Sequence, residues 1–303
     1  MTAPRFALTR LQLGLLVALT LVWGLNWPVM KAAITGFPPL TFRALSMWFG
    51  LPVLYAATRA LNAPLRIDRK DWRELGVLTL TNMIVWYVLA IVSLQALSSG
   101  RAAILGYTMP IFSAIVGAQC FGQRLSARQW AGVAAAAFGV TLLLWHELGT
   151  LSGRPWGAAG MLIAAAVWAF GTQQLRRTRI AAHTMAIIFW MTLITTLAVT
   201  LGALLFEHAQ WHAPAAATWF GIGYNALLII GFGQPIWLSL ARSLPPIAST
   251  LSVMLIPVLG TASGAWWLSE RLHWQDFAAI ALMLVAIASV LWPARPLQAS
   301  QAA

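Results

Sequence analysis

Residues 98–144 decide the fold: SSGRAAILGYTMPIFSAIVGAQCFGQRLSARQWAGVAAAAFGVTLLL. The stretch predicts an apolar helix centred on Pro110, a short basic loop and a second apolar helix. Residues 245–291 repeat the pattern at an offset of 147. The pairs at this offset are Leu97 and Leu244, Pro110 and Pro257, Ala118 and Ala265, Gln123 and Glu270, and Gln129 and Asp276. Because these matches share one offset, they indicate an internal duplication, which is typical of transporters with a site between two halves.

The composition places the whole chain in a membrane. It has 303 residues, 60% hydrophobic and 9% charged, and a mean hydropathy of +0.77, whereas soluble domains carry about 25% charged residues. Apolar runs predict an all-α polytopic membrane protein with ten spans: 11–31, 39–58, 74–96, 101–121, 127–146, 156–175, 184–206, 217–239, 247–268 and 275–293. The net charge of +12 lies in short loops, so we expect membrane lipid and no nucleic acid as a partner.

The basic residues predict the orientation in the membrane. Ten spans put both termini on one side, where fourteen Lys and Arg residues lie, against four on the other. Both termini are therefore expected in the cytoplasm. Five spans per half is an odd number, so residues 1–150 and 151–303 would enter the membrane with opposite orientation. We expect two inverted five-helix repeats with a site near the middle of the bilayer.

Several motifs carry a resemblance to a known family. They are Trp-Gly-Leu-Asn at 23–26, Trp-Ala at 168–169, and the two proline-containing spans followed by Gln-Arg-Leu at 123–125 and Glu-Arg-Leu at 270–272. The chain resembles the ten-helix, EamA-like branch of the drug/metabolite transporter superfamily, although Gln123 replaces the usual Glu. Within that branch it is similar to bacterial exporters of aromatic and other hydrophobic amino acids. The resemblance implies a multi-pass inner-membrane exporter working by alternating access.

Polar and aromatic side chains deep in the spans are the candidates for a substrate cavity. An unpaired amide facing lipid costs several kcal/mol, so these groups should face protein or water. Asn82 and Trp86 lie four residues apart, on one helical face. Helix–helix hydrogen bonding and packing are the alternative roles. The candidates are Asn26, Asn82, Trp86, Tyr107, Trp168, Tyr224, Asn225, Gln234 and Trp237.

Arg43 is the one basic residue well inside a predicted span. A guanidinium there can bind a substrate carboxylate with two parallel N–H groups. Alternatively, the side chain can extend to the nearby lipid headgroups, as long basic side chains often do.

Proline and glycine mark candidate hinges for alternating access. Proline removes a backbone hydrogen bond and glycine tolerates a bend, although static kinks are equally common in membrane helices. The candidates are Pro110, Gly231, Gly233, Pro235 and Pro257.

Acidic residues, histidines and catalytic motifs are missing from the span interiors. All seven acidic residues and all five histidines lie in loops or at span ends. Proton-coupled transporters place such groups in the membrane, so we expect a facilitator without proton coupling. No catalytic, metal-binding or cofactor-binding motif is present, and one chain holding both halves suffices as a monomer. The alternatives are a multidrug or small-metabolite exporter and, more remotely, a lipid flippase or membrane enzyme subunit.

Overall fold

The computed structural model describes residues 9–149, 155–237 and 255–291, and within these ranges the regular secondary structure is entirely helical. In the same ranges, two π-helical segments interrupt the α-helices, Leu80–Ile84 and Asn225–Gly233. The α-helices are α1 (Arg10–Ala33), α2 (Pro39–Ala60), α3 (Trp72–Thr79), α4 (Val85–Ala96), α5 (Ser99–Gly106), α6 (Met109–Phe121), α7 (Ala127–Gly149), α8 (Pro155–Leu175), α9 (Thr184–Phe206), α10 (Ala216–Tyr224), α11 (Ile256–Leu268) and α12 (Trp274–Leu291).

Seven helical stretches in the described ranges are long and apolar enough to cross a membrane. They are Arg10–Ala33, Pro39–Ala60, Arg69–Ala96, Ser99–Phe121, Pro155–Leu175, Thr184–Phe206 and Ala216–Trp237. Each of the ten predicted spans overlaps a helix of the structure. Parts of the eighth and ninth spans fall within residues 238–254, which lie outside the described ranges. The prediction of a polytopic α-helical membrane protein is confirmed.

The structure corrects the prediction of a continuous helix centred on Pro110. Helix α5 ends at Gly106, and α6 begins at Met109, which puts Pro110 in the first turn of a new helix. Proline fits there because the first N–H groups of a helix have no partner within the helix. Pro257 occupies the same place in the first turn of α11.

Residues that are 147 positions apart make the same hydrogen bonds at two helix ends and at two helix starts. The Gln123 N–H donates to the Gly117 carbonyl (2.9 Å), and the Glu270 N–H donates to the Gly264 carbonyl (3.4 Å). The residues before them, Gly122 and Ser269, both have left-handed backbone conformations (φ 66° and 53°). At the starts of α7 and α12, side-chain oxygens accept backbone N–H groups three residues earlier, Gln129 from Ser126 and Asp276 from His273, each at 2.8 Å.

Helices from the two ends of the chain pack closely. Helix α1 lies against α11, α2 against the second π-helical segment, α4 against α8, and α7 against α12. Glycines allow some of these approaches, as small residues do in other membrane helices. A Cβ atom on Gly24 would lie 2.7 Å from the Leu259 Cβ, and one on Gly50 would lie 2.9 Å from three side-chain atoms of Ile230.

The outer faces of the bundle carry large apolar side chains. Trp266 is 87% exposed and Phe206 is 75% exposed. Exposed apolar surface on this scale is unusual in soluble monomers and normal where lipid is the solvent. The bundle is therefore that of an integral membrane protein.

Carboxylates fasten one end of the bundle, which we call the carboxylate end. Glu207, after α9, accepts the backbone N–H groups of Leu40 (2.9 Å) and Thr41 (2.7 Å) at the start of α2. Glu270, after α11, accepts the N–H (2.7 Å) and the hydroxyl (2.8 Å) of Ser99 at the start of α5. These contacts satisfy N–H groups that the first turn of a helix leaves without partners.

An ion pair adds to the same end. The Arg101 Nε donates to the Asp276 Oδ1 over 2.9 Å, which joins α5 to the start of α12. Both side chains are largely buried, and Asp276 also holds the His273 N–H. The carboxylate end is therefore joined by contacts between residues before 150 and residues after 154.

Candidate functional site

Five polar side chains form a connected set inside the bundle, which we call the arginine cluster: Asn26, Arg43, Tyr87, Asn225 and Gln234. The Arg43 Nη1 donates to the Asn225 Oδ1 (3.1 Å), and the Asn225 Nδ2 donates to the Asn26 Oδ1 (2.9 Å). The Arg43 Cζ lies 4.9 Å from the centre of the Tyr87 ring, whose hydroxyl accepts from the Gln234 Nε2 (2.9 Å). The cluster joins α1, α2, α4 and the helix that begins at Ala216.

Asn225 holds the cluster in position because its amide is engaged on both sides. It is fully buried, its oxygen accepts from Arg43, and its nitrogen donates to Asn26 and to the Gly221 carbonyl (3.0 Å). Asn225 is the first residue of a π-helical segment, where carbonyls are displaced from the regular ladder. These three hydrogen bonds fix the orientation of the buried amide, so that its oxygen faces the guanidinium.

Arg43 does not extend to the membrane surface, so that alternative is wrong. The side chain turns into the bundle and is only 4% exposed. Its Nη2 meets the Met30 Sδ at 2.9 Å, and its buried Nε has no hydrogen-bond partner. Arg43 forms no ion pair with any carboxylate in the described ranges. The guanidinium is a buried cation with unused donors.

Two pairs of aromatic side chains lie near the cluster. Trp86 and Trp168 are 6.3 Å apart between ring centroids, and Trp23 and Trp237 are 5.4 Å apart. All four are only partly buried. Trp86 and Trp168 are both among the predicted cavity residues, and the structure brings them together between α4 and α8. Such pairs offer flat apolar surface on which a substrate side chain can pack.

Asn82 lies apart from the arginine cluster. Its Nδ2 donates to the Leu78 carbonyl of its own helix (3.1 Å) and lies next to Gly171 of α8. Asn82 and Trp86 both face α8, as their spacing predicts. Asn82 and Asn225 share a local geometry, because both lie in π-helical segments and both donate to the carbonyl four residues earlier.

The two predicted tyrosines also lie apart from the arginine cluster. Tyr107 is buried at the break between α5 and α6, with its ring 6.5 Å from that of Trp27. The Tyr224 hydroxyl donates to the Val22 carbonyl (2.8 Å), which fastens α10 to α1. The partners of these two tyrosines are Trp27 and Val22 instead of Arg43, so the nine predicted residues lie in several separate places.

The predicted hinges lie at irregular points of the helices. Pro110 and Pro257 begin α6 and α11, and Gly231 and Gly233 close the second π-helical segment, with Pro235 just beyond. Residues 231–233 lie in the second π-helical segment, which ends two residues before Pro235. The role of these residues in movement stays a prediction.

A surface depression of about 370 Å³ lies elsewhere, at the carboxylate end. Its lining includes Ile34, Phe37, Gln95 and His212, and it contains none of the predicted residues. Within the arginine cluster, Arg43 and Asn225 are buried and Gln234 is partly exposed.

Sequence reasoning missed Tyr87 and Met30. Tyr87 stacks on Arg43 and accepts from Gln234, and Met30 supplies the sulfur at Nη2. Tyr87 had a usable signal, since a tyrosine hydroxyl within an apolar span must find a hydrogen-bond partner. Met30 had none, because methionine is an ordinary residue in an apolar helix.

Comparison with known proteins identifies the bundle. The model of the EamA-like transporter family matches residues 11–145 and 155–292. The uncharacterized inner membrane transporter YedA of Escherichia coli (strain K12) is 28% identical over 298 residues, which is 94% of each chain. A probable amino-acid metabolite efflux pump of the same strain is 27% identical over 287 residues, 91% of this chain and 92% of that one. A crystal structure with 20% identity has the same fold, with a TM-score of 0.66 over 91% of this chain and 96% of that one. The chain belongs to the EamA-like transporter family.

Proposed function

We propose that this transporter exports amino acids, with aromatic and other hydrophobic ones preferred, by alternating access through a cavity between two inverted five-helix halves. The observation that carries the proposal is the arginine cluster, because it joins polar residues of both halves deep within apolar helices. Arg43 comes from the first half and Asn225 from the second. The probable amino-acid metabolite efflux pump of Escherichia coli, which is similar over 92% of its length, supports the substrate class.

The two-half architecture, residues 1–150 and 151–303, has independent support. The family model matches the chain twice, once in each half. The helix endings at Gln123 and Glu270 share one hydrogen-bond pattern, and the π-helical segments at Asn82 and Asn225 share another. Repeats of this kind place the transport site at the interface between halves.

The orientation follows from the basic residues. Because fourteen of them lie on the side of the termini, both termini lie in the cytoplasm. The membrane is a bacterial inner membrane, as in the name of the relative YedA. The carboxylate end then faces outward. In this orientation, the contacts of Glu207, of Glu270 and of the Arg101–Asp276 ion pair join helices on the outer side of the membrane.

The carboxylates at that end also support transport without proton coupling. Glu207, Glu270 and Asp276 are each bound to the start of a helix, where they serve as structural acceptors. A proton-coupled cycle would require a carboxylate or histidine at the site itself. The transporter accordingly lets amino acids run down their gradient.

Proteoliposomes provide the test. Uptake of labelled tryptophan, phenylalanine and threonine is measured with and without an imposed pH gradient. Saturable uptake that ignores the gradient is expected, whereas strict dependence on the gradient would refute the facilitator. Transport of lipophilic cations with no transport of amino acids would replace the substrate class by that of a multidrug exporter.

A further inference from the structure

We propose that the Nε–Nη2 edge of Arg43 binds the carboxylate of the transported molecule, with Asn225 holding the guanidinium in place. This inference rests on the proposed function and names the chemical group that the site recognises. The substrate class is a monocarboxylate with an apolar or aromatic side chain, either an amino acid or the corresponding acid without the amine.

The hydrogen bonds of Arg43 leave one edge of the guanidinium available. A guanidinium has five N–H donors in a planar fork. Nη1 donates to Asn225, Nη2 meets only the Met30 thioether, and the buried Nε has no partner. Nε and Nη2 lie on the same edge, where their N–H groups are parallel. That geometry matches the two oxygens of a carboxylate.

The charge of Arg43 also calls for an anion. A buried cation without a counter-ion costs several kcal/mol, and the described part of the chain supplies no carboxylate to this guanidinium. Glu207, which follows α9 and contacts the start of α2, accepts from Leu40 and Thr41 instead. A substrate carboxylate would provide the missing negative charge, and a cationic solute would be repelled.

The surroundings of Arg43 fit the rest of an amphiphilic acid. The Tyr87 ring covers one face of the guanidinium at 4.9 Å, and the adjoining Trp86 pairs with Trp168. Trp86, Trp168 and Gln234 are only partly buried, whereas Asn225 is fully buried. The side of the cluster towards Gln234 is therefore the more open one, and it has aromatic surface for the substrate's side chain.

Met30 covers the edge in this structure. A thioether is a weak acceptor on a flexible side chain, so a carboxylate can displace it at small cost. Arg43 is 4% exposed, and the displacement accompanies the opening of the cavity. The Met30 thioether thus occupies the position at Nη2 that the substrate carboxylate takes when it binds.

Competition in a counterflow assay tests this recognition. Proteoliposomes loaded with phenylalanine take up labelled phenylalanine in the presence of phenylalanine, 3-phenylpropionate, phenylalaninamide or tetraphenylphosphonium. The two carboxylates are expected to compete, and phenylalaninamide and the phosphonium to compete at least about 10-fold more weakly, since a charge-assisted hydrogen bond is lost. Equal competition by phenylalaninamide would overturn the proposal.

Variants of Arg43 assign the effect to this residue. R43Q keeps a donor for Asn225 but no charge, and R43K keeps the charge without the fork. Both are expected to bind phenylalanine about 10- to 100-fold more weakly. The matched control is R59Q, which removes an exposed arginine from the same helix and should leave transport unchanged. Wild-type affinity in either folded Arg43 variant would overturn the assignment.

Failure of the proposed function would look different. If the wild-type protein moves no amino acid, the carboxylate site is still tested by the change in melting temperature of the purified protein when 3-phenylpropionate is added. A rise in wild type and R59Q that is absent in R43Q and R43K supports the site for an organic acid. Equal rises in all four proteins, or none in wild type, would refute it.

Discussion

Removal of the Glu270 carboxylate should loosen the carboxylate end by a measurable amount. Glu270 accepts the Ser99 N–H at 2.7 Å and the Ser99 hydroxyl at 2.8 Å, with the Gly100 N–H further away at 3.4 Å. The perturbation is Glu270→Ala, which removes all three contacts across the junction between α11 and α5.

The magnitude follows from the two short bonds. A hydrogen bond to a charged group contributes about 1.5–3 kcal/mol. Glu270 is only partly buried, so water replaces some of the loss and the lower figure applies to each bond. Glu270→Ala should then lower the free energy of unfolding by about 3 kcal/mol. Glu270→Gln retains one accepting oxygen and should lose about half as much.

Unfolding in mixed micelles with increasing dodecyl sulfate, followed by tryptophan fluorescence, measures the difference. The neighbouring variant Arg271→Gln is the control, because Arg271 is exposed and surface substitutions stay within about 0.5 kcal/mol. If Glu270→Ala were as stable as Arg271→Gln, the carboxylate would not hold α5, and the argument about the carboxylate end would fail.

Three further predictions concern packing, charge and the site. Gly50→Ala should destabilise the bundle by about 1–3 kcal/mol, because its Cβ would press on Ile230, and Ile230→Ala in the same chain should restore part of the loss in micelle unfolding. Asp276→Asn should cost about 1.5–3 kcal/mol by weakening the bond to Arg101, and a loss no larger than that of Arg271→Gln would contradict this. Trp86→Ala should raise the counterflow KM for phenylalanine several-fold at unchanged membrane yield, since one aromatic contact contributes about 0.5–1.5 kcal/mol. An unchanged KM would show that the substrate's side chain does not pack on Trp86.

The helices could be predicted from sequence because length and hydropathy dominate in a membrane. The predicted span 184–206 coincides with α9, Thr184–Phe206. Local irregularities could not be predicted so well. The break before Pro110 and the π-helical segments depend on neighbouring helices, and an apolar run has the same composition whether its hydrogen bonds are α or π.

The site could be predicted only as a set of residue types. Asn26, Asn225 and Gln234 were identified because amides are costly in apolar surroundings. Their partners were not, since the bond from Asn225 to Asn26 joins residues 199 positions apart. The direction of Arg43 is likewise decided by helices distant in sequence, which place Asn225 and Tyr87 where the guanidinium can reach them.

The π-helical turn at Leu80–Ile84 makes the length of this helix adjustable. A π turn accommodates one more residue than an α turn between the same two ends. Deletion of one residue there would return the stretch to regular α-helix and leave the flanking faces in place. The same deletion within α9 would rotate everything beyond it by about 100°. A one-residue deletion in this chain therefore has a tolerated position inside a membrane span, one turn away from Tyr87 and the guanidinium it covers.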